Sequence, residues 1–226
     1  MPVPEGVIRV RAANASALTL DGTNTYVVGR WVVDPGPADP SHLDAIRGAA
    51  HDGIEAVVLT HSHADHAEAA PLLDVPVTLP RDGDVVGPFQ AVGTPGHSAD
   101  SVCLVMDRVC FTGDTVLGEG SVFISPGEGS LSAYLDSLRR LRSLDLELLC
   151  PGHGPYVEDP AAKLDSYIAH RLDRERRLLE ALASGLRTED ELLDAAWPEV
   201  PEPLRGAAAL TLRAHMEKLS EEGRAP

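Results

Sequence analysis

Apolar and β-branched residues in the first part of the chain come in short runs divided by turn-forming residues. VIRV at 7–10, LTL at 18–20, TYVVG at 25–29 and WVVD at 31–34 are interrupted by Asp21-Gly22-Thr23 and stop at Asp34-Pro35-Gly36. This is the pattern of an antiparallel meander. Residues 40–52 suit a helix, with Pro40 near its start. IEAVVLT at 54–60 is almost continuously apolar, as expected of a strand covered on both faces. A helix near 65–73 comes next, and VPVTL, DVVG, FQAVGT, SVCLVMD and RVCFTGD then read as strands. Residues 130–144 place apolar positions at helical spacing behind Ser130, a good N-cap, and LELLCPGHG reads as a strand running into a loop.

After residue 160 the strand pattern stops. AAKLDSYIAHRLDRERRLLEALAS is a long amphipathic helix. TEDELLDAAW opens with Thr188 and has Glu191 three residues on, a capping box, and LRGAAALTLRAHMEKLSEEG is a last helix. The chain therefore divides into a mixed α/β body, 1–160, and a helical tail, 161–226. It has no internal repeat and no low-complexity stretch.

Composition narrows the function. A chain of 226 residues can hold one large domain or a domain with an appendage. Its three cysteines, Cys103, Cys110 and Cys150, are too few for a disulfide framework and read as small buried hydrophobes. The beginning, MPVPEGVIRVRA, lacks the basic and apolar regions of a secretory leader, and no apolar run approaches the ~20 residues of a spanning helix, so a cytoplasmic location and no membrane partner are expected. A net charge of −16 argues against an extended phosphate-binding face. Bound divalent cations would nevertheless supply positive charge locally.

The candidate chemistry is concentrated in Thr60-His61-Ser62-His63-Ala64-Asp65-His66. His61 and His63 are alternate residues and can point the same way while the chain is still extended. Asp65 and His66 lie where the backbone turns into a helix and can aim elsewhere, which serves two neighbouring sites better than one. Imidazole and carboxylate suit zinc and similar first-row ions. A surface histidine patch is the bland alternative for one such segment. Three later ligand types count against it: His97 in TPGHS, Asp114 in TGD and His153 in PGHG each follow an apolar run and adjoin a glycine. Ligands at the ends of separate strands meet on one rim of a sheet.

HSHADH, TPGHS, GD, PGHG and Asp34-Pro-Gly, in this order, resemble the metallo-β-lactamase fold superfamily over residues 20–155. The resemblance implies an α+β, four-layer αββα sandwich. It implies that His61, His63 and His97 hold one metal and Asp65, His66 and His153 a second, with Asp114 bridging and Asp34 bracing the loops from behind. Two zinc ions per chain are expected, with iron or manganese as alternatives. Asn24-Thr25-Tyr26, GDTVLGEGSVF, PGHGP and Tyr167-Ile-Ala-His-Arg171, with Arg174 and Glu175, resemble the β-lactamase-like protein 2 family. That family carries a winged-helix-like tail and includes an endoribonuclease acting on single-stranded RNA. Asp114 departs from the antibiotic-degrading enzymes, which most often carry cysteine there. Glyoxalase II thioesterases share this aspartate, but their basic glutathione-binding pattern has no clear counterpart here.

The expected activity is hydrolysis by a hydroxide held between two metals, with Asp65 and Asp114 as catalytic groups. The substrate is a phosphodiester in single-stranded RNA or an acyl thioester, including the glyoxalase II-like case. Sparse aromatics, 4% of residues, count against RNA. An iron-dependent oxidoreductase of the sulfur dioxygenase kind is the alternative from another class. Duplex DNA is not an expected partner, because the tail lacks a clearly basic recognition helix. Either a monomer or a homodimer is compatible with the sequence. Asp65 and Tyr156 are the candidate leaving-group acids, and Tyr156 is also a candidate for substrate binding, although a structural tyrosine is the better reading of Tyr156. His170, Arg171 and Arg174 read first as part of a solvated helix face with Arg176 and Arg177, and otherwise as an anion-binding edge for substrate. His42 and His51 read as solvated, and His215 as structural or exposed.

Overall fold

The computed structural model describes residues 6–224. The start of the chain, on which the absence of a leader was read, lies partly outside them. Contacts separate the chain into two interleaved units. The first runs to Thr94 and adds Asp100–Gly120 and Asp145–Pro160; the second comprises Pro95–Ala99, Ser121–Leu144 and everything from Ala161. The expected break at 160/161 matches only the last of these seams. Burial partners do not follow chain order, so a linear division misses the two earlier insertions.

In the first unit β1 (Val7–Arg11), β2 (Asn24–Val28) and β3 (Trp31–Val33) form the expected antiparallel meander, and β4 (Ala56–Val58) and β5 (Val77–Thr78) extend it in parallel. β6 (Val85–Val86), β7 (Phe89–Gly93), β8 (Val102–Met106), β9 (Val109–Gly113) and β10 (Leu148–Pro151) make a second sheet, in which only the β9–β10 pair is parallel. Tyr26, Val33 and Val58 from the first sheet meet Phe89, Leu104 and Phe111 from the second in one apolar layer. Helix α1 (Pro40–Ala49) covers the other face of the first sheet with Leu43 and Ile46, against Val32 and Val57. β4 therefore is apolar on both faces, as its sequence required.

Two sequence readings change. The helix expected at 65–73 splits into α2 (Ala64–Ala67) and a 3-10 turn at Ala70–Leu73. Pro71 lacks an amide proton and cannot continue the α-helical ladder. LTL at 18–20 makes a bridge between Ser16 and Leu20 and no strand, with Leu20 at a φ of +54°.

The second unit contains α3 (Leu131–Arg142), capped by Ser130 as its sequence indicated, and the tail helices α4 (Pro160–Ala183), α5 (Glu189–Ala196) and α6 (Arg205–Glu221). The capping box between Thr188 and Glu191 is present. Leu178, Leu192, Leu193, Trp197, Leu212 and Leu219 give the tail its own core. No helix among the described residues is long and apolar enough to cross a membrane.

Leu104 is fully buried between the two sheets. Leu104→Ala should lower unfolding free energy by about 2–5 kcal/mol in a urea titration, the range for removing a packed leucine side chain.

Candidate metal centre

The site begins with Asp34, just after β3. Its backbone stands at a φ of +49°, a conformation that aspartate tolerates better than most residues. The Thr60 amide donates to one carboxylate oxygen at 2.7 Å, and the Thr60 hydroxyl donates to the other at 2.6 Å. His66 Nδ1 lies 2.9 Å from that second oxygen, and because a carboxylate only accepts, the nitrogen must donate. Asp34 stands within ligand distance of His61 and His66. With both oxygens occupied by N–H and O–H donors, it acts as a brace for the ligand loop.

These bonds set the tautomers. His66 spends its Nδ1 proton on Asp34, which leaves Nε2 facing inward. The Thr60 hydroxyl proton is committed to Asp34, so its oxygen accepts from His61 Nδ1 at 3.1 Å and Nε2 of His61 becomes the lone-pair nitrogen. That nitrogen lies 3.1 Å from Nδ1 of His63. His153 Nδ1 donates to the Gly22 carbonyl at 3.4 Å, again leaving Nε2 for the site. Asn24 Nδ2 holds the loop under His153 through the carbonyls of Pro151 and Gly154, and the Tyr26 hydroxyl also donates to Pro151.

Four atoms converge. His153 Nε2 lies 3.2 Å from Asp65 Oδ2 and 3.3 Å from Asp114 Oδ1. His66 Nε2 lies 3.3 Å from Asp114 Oδ1, 3.3 Å from His153 Nε2 and 3.7 Å from Asp65 Oδ2. Four ligands placed about 2.0–2.1 Å from a tetrahedral ion stand about 3.3–3.4 Å apart. The spacing therefore fits a divalent metal. A second sign is the absence of side chain at the back of the cluster: a Cβ on Gly152 would sit 2.5 Å from His66 Cε1 and 2.9 Å from Asp114 Oδ1, and one on Gly113 would strike the Thr60 hydroxyl at 2.2 Å.

Charge tells the same story. Burial pulls the His153 imidazole down, but Asp114 and Asp65 outweigh it and hold the group at about 9. Burial also opposes protonation of His66, yet Asp114 and Asp34 raise it well above its ordinary value. Burial pushes Asp114 up, and His66 and His153 overcome that to hold it well below the carboxylate range. Asp65 is lowered chiefly by His153 against the same burial cost. The two carboxylates thus supply a strong local preference for positive charge, which a metal would satisfy once the imidazole protons leave.

His97 lies in the second unit, buried, with Nδ1 donating to the Phe123 carbonyl at 3.1 Å. Tyr156 packs at the edge of the apolar layer under Arg9, whose guanidinium lies 4.3 Å from the ring centre, so the structural reading of this tyrosine fits its position. Arg171 and Arg174 are buried, which overturns their reading as part of a solvated face. Arg171 donates to Val122 O, and Arg174 reaches Ala196 O, Glu199 and His170. His170 is half-buried and held down at about 4, by burial first and then by Arg171 and Arg174. Arg176 and Arg177 do pair with Asp173 near the surface. His42 is likewise buried, not solvated: Nε2 donates to Thr25 Oγ1 at 2.9 Å, and Thr25 donates to the Asp34 carbonyl at 2.6 Å. His51 is exposed, and His215 is buried against Trp197. Thr25, His42, Thr60 and Asn24 were missed as supports. The available signal was polar residues inside or beside otherwise apolar runs.

Residues 18–76 and 74–153 match the metallo-beta-lactamase superfamily, and residues 188–226 match the beta-lactamase associated winged helix domain. The chain belongs to the metallo-beta-lactamase superfamily, with its fold of two sheets flanked by helices and its winged helix domain at the C-terminus. It is 30% identical to a beta-lactamase-like protein 2 homolog of Drosophila melanogaster, across 96% of this chain and 89% of that one. It is 35% identical to an atrochrysone carboxyl ACP thioesterase of Aspergillus novofumigatus, across 80% of this chain and 64% of that protein. A metallo-beta-lactamase family protein of Thermus thermophilus superposes with a TM-score of 0.80 at 21% identity, covering 96% of this chain and 94% of its own.

Two outcomes follow from the centre. His153 titrates at about 9 in the fold and at about 6.5 in an unfolded chain. The stabilisation this brings to chelator-treated protein is complete below pH ~6.5 and is lost as pH rises through 9. The melting temperature of that sample should therefore fall over this window, and His153→Gln should flatten the fall. Gly152→Ala should reduce metal retained after dialysis by about tenfold or more, read by elemental analysis, because its Cβ intrudes between two ligands.

Proposed function

We propose that the chain is a dinuclear zinc hydrolase acting on acyl thioesters. The observation that carries this reading is the convergence of His66, His153, Asp65 and Asp114 within 3.2–3.7 Å, beside the paired nitrogens of His61 and His63. In this reading His61, His63 and His97 hold one ion, Asp65, His66 and His153 the other, and Asp114 serves both. A metal pair held there would supply hydroxide near neutral pH and polarise the substrate carbonyl. The chain's part is orientation: His61, His66, His97 and His153 each give the Nδ1 proton to a protein oxygen, which aims those imidazoles, and Asp65 and Asp114 stay ionised as ligands.

Leaving-group chemistry favours a thioester. Water adds to the acyl carbon, the C–S bond breaks, and an acid and a thiol result. Asp65 is held ionised and Tyr156, raised by burial, is packed under Arg9, so neither candidate is suited to donate a proton. A thiolate, with a conjugate acid of pKa near 8.5, leaves without that help far more readily than the alkoxide of a phosphodiester. The ACP thioesterase named among the relatives supports the same class. The net charge of −16 and few aromatics disfavour a nucleic-acid track. In the tail, Arg205 and Arg213 are ion-paired with Asp190, Asp194 and Glu189, which leaves little basic surface for duplex DNA. Three buried free thiols suit a reducing cytoplasm.

The test is a panel on zinc-loaded protein: an acyl-CoA, S-lactoylglutathione, single-stranded RNA, a generic phosphodiester and a cephalosporin. Thioester hydrolysis should dominate, and Asp114→Ala or His97→Ala should reduce it by at least about a hundredfold, as loss of metal activation requires. RNA cleavage without thioesterase activity, or one iron per chain with oxidation of a sulfur substrate, would overturn the proposal.

A further inference from the structure

His97 belongs to Pro95–Ala99, a five-residue stretch of the second unit. Helix α3 holds the stretch itself. Ser137 donates to the Pro95 carbonyl at 2.8 Å, the Ser130 amide donates to the Gly96 carbonyl at 3.0 Å, and Gly96 at a φ of +148° lies so close to Tyr134 that a Cβ would come within 2.4 Å of the tyrosine's Cα. The imidazole is tied to something else, the Phe123 carbonyl, 3.1 Å from Nδ1, with the Phe123 ring edge-on at 5.6 Å. A carbonyl only accepts, so this bond places the proton on Nδ1 and the lone pair on Nε2.

That carbonyl is useful only if its backbone stays still. Residues 121–125 have no regular secondary structure, so no ladder fixes them. The residues on either side of Phe123 are instead tied to tail helices. Arg171 of α4 donates to the Val122 carbonyl. Thr211 of α6 accepts from the Ile124 amide at 3.1 Å while donating to the Ala207 carbonyl of its own helix at 3.1 Å. Arg171 is 2% exposed, and its guanidinium also lies 5.3 Å over the ring of Tyr134, the residue against which Gly96 packs.

We propose that Arg171 and Thr211 are positioning residues for a metal ligand: by clamping the backbone around Phe123, the tail fixes the tautomer and aim of His97. The inference rests on the dinuclear reading above, and it gives the tail a part in metal binding rather than in recognition. An arginine and a threonine that served only packing would stabilise the tail without touching the metal.

The full chain is tested in two ways. Nitrogen-15 spectra of metal-free protein should show the His97 ring as the Nδ1–H tautomer; the Nε2–H tautomer in the wild type would overturn the inference without any variant. Competitive chelator titration with zinc should then resolve two equivalents. Thr211→Val and Arg171→Lys should each weaken one equivalent by about tenfold or more, leave the other unchanged, and shift His97 toward mixed tautomers, whereas Thr211→Ser should behave as wild type. His97→Ala should weaken the same equivalent. Wild-type affinities in either folded positioning variant, with His97→Ala impaired, would sink this inference and leave the dinuclear reading standing. Wild-type affinities in His97→Ala would sink both.

Discussion

The buried carboxylate of Asp34 is the constraint on which the first unit's chemistry depends. It receives the amide and hydroxyl of Thr60 and the Nδ1 proton of His66. Removing any of these donors leaves an under-compensated charge inside the protein, which is far costlier than losing a surface pair. Asp34 is itself kept in an unusual backbone conformation, and its carbonyl accepts from the Thr25 hydroxyl, which in turn accepts from His42. One residue thereby links the end of β3, the end of β4 and the first turn of α2. It also decides, through Thr60, which nitrogen of His61 carries the lone pair.

Parallel pairing explains why candidate ligands so distant in sequence meet. β3 and β4 run side by side in one sheet, and β9 and β10 in the other. Parallel neighbours end at the same edge, so the segments that leave them emerge together. Asp34 and the HSHADH loop follow one pair, Asp114 and His153 the other. A side chain on Gly152 would press on His66 and Asp114 and one on Gly113 on Thr60, and the Gly152 amide donates to the Gly113 carbonyl at 2.9 Å, tying the two ends together. Local burial then makes the cluster's charges strong: in a medium where water screens little, two carboxylates can raise two imidazoles against the cost of desolvation.

The second unit follows another logic. Its tail has its own apolar core around Leu178, Trp197 and Leu212, and its surface arginines are largely paired with nearby carboxylates. Two buried arginines take backbone and aromatic partners as well. Arg171 spends itself on a backbone carbonyl and an aromatic face, and Arg174 on a carbonyl, Glu199 and the face of Trp197. Arginine tolerates such sites because its planar, weakly hydrated fork can satisfy several acceptors at once.

Much of this was readable from residue order alone. The apolar periods located nearly every strand and helix, the capping residues Ser130 and Thr188 marked two helix starts, and HSHADH with Asp114 and His153 marked side chains that the fold gathers into one cluster, because metal chemistry restricts which side chains can serve and glycine marks where the backbone must turn. The supports were not readable. Thr25, His42, Thr60, Asn24 and Thr211 act on partners that the chain brings near only after the sheets pair and the helices pack, and a single threonine or histidine in a sequence carries no sign of such a partner. Arg171 and Arg174 show the limit most plainly: their spacing with neighbouring acids is that of a solvated helix face, and only the packing of α4 within its own unit buries them. Residue types determine which groups can bind a metal; the tertiary structure alone determines which groups hold them in place, since that depends on distances between segments far apart along the chain.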